Sequence, residues 1–107
     1  MDEKIIEKIR DWAASEPAVV RVWIYGSRLK NTEKSNSDID VAVEVKRIKE
    51  LGYCENELSV WMALSPGLEE SLSQQLPYTL DLQWYGGEDE TPNVHSYLEE
   101  YSQQVYP

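Results

Sequence analysis

Near the start of the chain, apolar residues recur at helical spacing: Ile5, Ile6, Ile9, Trp12 and Ala13, with polar residues between them. Positions three and four apart share one helix face, so the pattern predicts an amphipathic helix from Asp2 to Ser15, ended before Pro17. Val19 to Tyr25 is β-branched and aromatic and reads as a first strand. Gly26 to Ser37 is polar and reads as a turn and a loop, with room for a short helix between them. Asp38 to Lys46 reads as a second strand. Its period of two sets Ile39, Val41, Val43 and Val45 on one face and Asp38, Asp40, Ala42 and Glu44 on the other. Residues 47–76 read as helical with interruptions. Leu58, Trp61, Met62 and Leu64 mark one segment. Ser65-Pro66 reads as an N-cap and first-turn proline opening a second, with Leu68, Leu72 and Leu76 as its stripe and Pro77 as its end. Tyr78 to Tyr85 alternates again. Tyr78, Leu80, Leu82 and Trp84 are expected to face the core, and Thr79, Asp81, Gln83 and Tyr85 to face away. Gly86 to Glu90 reads as a flexible acidic loop. Thr91-Pro92 opens a last helix with Tyr97, Leu98, Tyr101 and Val105 on one side.

The order helix, strand, strand, helix, strand, helix predicts an α/β fold, a small mixed β-sheet covered by helices. With 107 residues and no internal repeat or long linker, a single domain over 1–107 is expected.

Charge changes the picture more than composition does. The net charge is −10, and all ten Lys and Arg lie at or before Lys49. Residues 1–50 are balanced, whereas 51–107 hold ten acids and no base. Such a surface repels a phosphate backbone, which argues against direct nucleic-acid binding, and steers towards a basic protein partner. A solvated acidic face kept for solubility is the simpler explanation. There is no 18-residue apolar run and no basic-then-apolar leader, so no membrane span is expected. The single cysteine, Cys54, has no partner within the chain for a disulfide. Together these features lead to the expectation of a cytoplasmic protein.

Chemistry concentrates where the first two strands meet the loop between them. Val22-Trp-Ile-Tyr-Gly-Ser27 is an apolar strand running into a Gly-Ser turn; ten residues later comes Asp38-Ile-Asp40. Side chains i and i+2 on a strand point the same way, roughly 7 Å apart. Two carboxylates so placed can converge on divalent ions about 3.5–4 Å apart. Asp81, on the polar face of the third strand, joins them if the second and third strands are neighbours. Three acids on one face repel unless cations neutralise them, and Mg²⁺ suits an all-oxygen set completed by water and phosphate. In this arrangement Asp38 and Asp40 hold metal, and Asp81 positions or deprotonates an attacking hydroxyl. Gly26 and Ser27, with nearby backbone amides, bind phosphate. Each residue has a plainer reading. Asp38 fits a turn at a strand start, Asp81 a solvent-facing position, and Arg28, Lys30 and Lys34 exposed loop charges. His95 is the single histidine, and a lone histidine makes no zinc site.

Gly26-Ser27, ten residues, then Asp38-Ile39-Asp40 resembles the signature of the DNA polymerase β-like nucleotidyltransferase superfamily. The small size is similar to that of its minimal nucleotidyltransferases, the antitoxin partners of HEPN-domain toxins. The resemblance spans Val19 to Tyr85. It implies a pair of metal-binding acids at Asp38 and Asp40, a third acid at Asp81, and a phosphate-binding turn at Gly26 and Ser27 with Arg28 beside it. It further implies Mg²⁺-dependent transfer of AMP from ATP to a hydroxyl, with a tyrosine of a HEPN-type RNase toxin as acceptor. The chain departs from the family at Leu29, Lys30 and Asn31: no glycine follows Ser27 before Asp38. A second reading is therefore an antitoxin with weak or no catalysis that neutralises its toxin by direct binding; a third is a transferase acting on a small molecule.

Overall fold

A computed structural model describes residues 3–26 and 38–107. Three helices and four strands follow in the order α1 (Glu3–Ser15), β1 (Val19–Tyr25), β2 (Ile39–Val45), α2 (Glu57–Ser73), β3 (Leu80–Trp84), α3 (Pro92–Glu100) and β4 (Ser102–Tyr106), with a short 3-10 turn at Lys49–Leu51. The strands form one mixed sheet in the order β3-β2-β1-β4. β1 runs antiparallel to both β2 and β4, and β2 runs parallel to β3.

The two faces of the sheet have different roles. Val22 and Ile24 of β1, the odd positions 39–45 of β2, and Leu80 of β3 turn to one face and meet α1 and α2 in the main core. Ile9, Ile24, Ile39, Leu72 and Val105 are fully enclosed there. α1 is fastened to both neighbours: Trp12 Nε1 donates to Ser71 Oγ of α2 at 2.9 Å, and Arg10 Nε donates to the Val105 carbonyl of β4 at 2.9 Å. On the opposite face Trp23, Tyr25 and Ala42 form a smaller cluster with Tyr85, Val94 and Leu98, under α3. The alternation expected along β2 and β3 therefore holds, and it divides apolar core from polar face as expected.

Three expectations are corrected. First, Ser65-Pro66 does not open a new helix; α2 runs unbroken with Pro66 inside it. Its start is Asn56, whose side chain accepts from the Ser59 backbone N–H at 2.9 Å while Ser59 Oγ accepts from the Asn56 N–H at 3.1 Å, a capping box. A proline costs a helix one hydrogen bond to the carbonyl four residues back, here that of Met62. Pro66 and Met62 both lie on the exposed side, Met62 at 69% exposure, so water replaces the missing donor. For the same reason Leu58 and Met62 are not core; Val60, Leu68 and Leu72 are. Second, the last helix stops at Glu100 and the chain continues as strand β4, which places Val105 in the main core at 1% exposure. Nothing local in Ser102-Gln-Gln-Val-Tyr106 marks a strand; pairing with the open edge of β1 makes it one. Third, the 86–91 loop is tied down. Thr91 Oγ1 accepts from the Gly86 N–H at 3.0 Å and donates to the Gly87 carbonyl at 2.9 Å. Among the described residues no helix is long and apolar enough to cross a membrane.

Candidate active site

Parallel pairing of β2 with β3 sets Asp40 directly beside Asp81 in the strand register, on the face away from the main core. This is the adjacency that the spacing of the acids required, and it is a property of the topology, since β2 and β3 are joined through α2. The two carboxyls interact through charge and a hydrogen bond. Burial first, then the charge of Asp81, the bond to Asp81 and the charge of Asp38 raise the Asp40 pKa to about 6. Asp38 is exposed, just ahead of β2, where the Ile39 N–H donates to the Thr79 carbonyl at 2.9 Å. It acts on Asp40 through its charge.

On the other side of Asp40 stands the end of β1. Tyr25 is the cross-strand partner of Asp40, and Gly26 follows with φ of +83°. A side chain at Gly26 would have to adopt a left-handed backbone, and its Cβ would run into Oδ2 and Cγ of Asp40. Glycine is thus needed twice over, for the turn and for the carboxylate that lies against it. Tyr25 is buried, and its phenol is held protonated by burial, by Asp40 and Asp81, and by Tyr97. Ser27, Arg28, Lys30 and Lys34 lie outside the described residues.

A cleft of roughly 680 Å³ opens above these groups. Its floor is Gly26, Asp40, Asp81 and Gln83; its wall is α3 and the residues flanking it, from Glu90 to Tyr101. That volume is within the usual range for small-molecule sites. Sequence reasoning missed Gln83, whose Nε2 donates to Asp81 Oδ1 at 2.8 Å and so orients that carboxylate. Its position two residues beyond Asp81, on the same strand face, was the available signal. Sequence reasoning also left His95 without a role. Its Nε2–H donates to Glu99 Oε1 at 2.9 Å, which leaves Nδ1 to accept the Tyr85 hydroxyl at 2.7 Å. The clasp joins the end of β3 to α3 and holds the cleft wall over the acids.

The donor set suits a hard divalent cation. Among the described residues, no three acids, cysteines or histidines enclose a metal position by themselves. The expected convergence of three acids is thus reduced to the pair Asp40–Asp81, with Asp38 exposed just ahead of β2. Such a half-open, all-oxygen site is what a cation retaining water and substrate phosphate requires, and two carboxyls in contact favour a positive charge between them.

The model of the polymerase beta nucleotidyltransferase domain matches residues 7–89, which carry the Gly-Ser turn and all three acids. The chain belongs to that family. Its members generally use a nucleoside triphosphate and a divalent metal. Among solved structures, a crystal structure of a toxin–antitoxin with AMP-PNP aligns with a TM-score of 0.58 and 22% identity, over 96% of this chain and 70% of that one. A mutant of the toxin–antitoxin MntA-HpeT aligns with a TM-score of 0.61 and 20% identity, over 99% and 73%. At such identities the likeness establishes the fold, the minimal form of this nucleotidyltransferase domain. No curated protein sequence matches the chain.

Proposed function

We propose that this nucleotidyltransferase transfers AMP from ATP to a hydroxyl of a partner protein, a tyrosine of a HEPN-type RNase toxin, and thereby acts as its antitoxin. The observation that carries the reading is the Asp40–Asp81 pair, set side by side next to Gly26 at the floor of an open cleft. Two solved toxin–antitoxin structures with this fold, one of them with AMP-PNP, support it.

Asp38, Asp40 and Asp81 would hold Mg²⁺, which when bound neutralises the triphosphate and favours departure of pyrophosphate. The residues of the chain supply the rest. Gly26 lets the backbone approach the phosphates, with Ser27 and Arg28 as the expected further contacts. Asp81, whose carboxylate accepts from Gln83, would accept the proton of the incoming hydroxyl. In the transfer, the acceptor oxygen forms a bond to the α-phosphorus, the bond from that phosphorus to the bridging oxygen breaks, and pyrophosphate leaves.

The test is incubation of the chain with labelled ATP, Mg²⁺ and a HEPN-type toxin. Label on the toxin, lost in the Asp38→Ala/Asp40→Ala variant with the fold intact, is the expected result. A second reading, neutralisation by contact alone, is favoured by the acidic 51–107 segment and by the absence of a glycine between Ser27 and Asp38. It prevails if the double variant neutralises the toxin at full strength.

A further inference from the structure

We propose that Tyr97 and Asn93 form the nucleobase subsite of the cleft, with Tyr97 as stacking platform and Asn93 as the reader of an adenine edge. The inference rests on the transferase reading above and adds to it the residues that select the base. Tyr97 stacks on the buried ring of Tyr25, with centroids 6.1 Å apart and planes 11° from parallel. One of its faces is thereby fixed, yet the residue remains 51% exposed and lines the cleft. A ring held rigidly on one side and open on the other suits a second planar ring, because little freedom is lost when that ring arrives. Asn93 lies one helical turn earlier on α3, and residues four apart share a face. It also lines the cleft, and its amide has no side-chain hydrogen bond among the described residues.

The chemistry of this wall selects the ligand. Among the described residues no lysine or arginine lines the cleft, whereas Glu90 and Glu100 do. The wall therefore rejects phosphate and suits a neutral ring, while the triphosphate belongs at the floor with the acids and their cation. A side-chain amide offers one donor and one acceptor together. Adenine presents the complementary pair, its N6 amino group and N7, whereas guanine presents two acceptors, N7 and O6. Both residues lie beyond position 89, outside the segment that the family model matches.

Calorimetric titration of the full chain in Mg²⁺ with AMP-PNP, GMP-PNP and inorganic tripolyphosphate tests the assignment. AMP-PNP is expected to bind most tightly of the three. Tyr97→Ala should weaken AMP-PNP about tenfold, within the range of base–aromatic stacking, and Tyr97→Phe should restore most of that loss. Asn93→Ala should narrow the gap between AMP-PNP and GMP-PNP, and tripolyphosphate should bind the Tyr97→Ala and Asn93→Ala proteins alike. If AMP-PNP binds no better than tripolyphosphate, or if Tyr97→Ala weakens both equally, the subsite is overturned and the transferase reading stands. If tripolyphosphate itself fails to bind with Mg²⁺, the transferase reading falls and takes the subsite with it.

Discussion

Gly26 and Asp40 are bound to each other by space. The positive φ at Gly26 costs an alanine about 1–2 kcal/mol from the backbone alone, before its Cβ meets the carboxylate. Gly26→Ala should therefore unfold at lower urea concentration than the parent and lose metal-dependent nucleotide binding together with stability. Asp40 makes a second, opposite demand. Its pKa is raised from 3.8 to about 6, so the folded protein holds this proton more tightly than the unfolded chain does. The associated stability is complete below pH 3.8 and is lost as pH rises through about 6. In chelator, the parent should lose stability between pH 4 and 6 more steeply than Asp40→Asn, as followed by thermal melts. Metal binding should run the other way, since a cation must displace that proton; its affinity should fall as pH drops below about 6.

The elements differ in how far they were legible. β1 could be read from its β-branched and aromatic content, and β2 and β3 with their faces because alternation is a local signal. The close approach of Asp81 to Asp40 was legible only as a condition, since strand neighbours are decided by tertiary pairing. α2 was misread because Ser-Pro looks like a helix start unless the exposure of Pro66 is known. β4 was misread because its strand character comes from the edge of β1. α3 was recognised as a helix, but its place over the acids was not, for that depends on Tyr85 and His95 meeting across the sheet face. Tyr85→Phe removes that hydrogen bond and should cost about 1 kcal/mol in denaturant unfolding. It should also speed amide exchange in 92–100 more than in α1, since α3 has no fully buried residue to hold it otherwise.

At the scale of the whole molecule, three layers divide the work. α1 and α2 cover the apolar face of the sheet and supply the core, while α3 lies on the polar face and leaves a cleft. The acids of 51–107 fall on and just before α2, on β3, in the loop that follows it and on α3, and Asp81, Glu90 and Glu100 among them line the cleft. A partner that approaches is therefore expected to be basic. Its association rate with this chain should fall steeply as salt rises from 50 to 500 mM, with a much smaller change in dissociation, as followed by surface binding kinetics.

The parallel register between β2 and β3 has a last consequence. Slippage by a single position would turn Leu80 and Leu82 to the solvent and drive Asp81 among the valines. Because side chains on a strand alternate, no form slipped by one position could keep a sound interior and a misaligned reaction centre at once. Quality control that removes loosely built copies would then remove the inert ones too, and every surviving copy would carry its carboxylates in line.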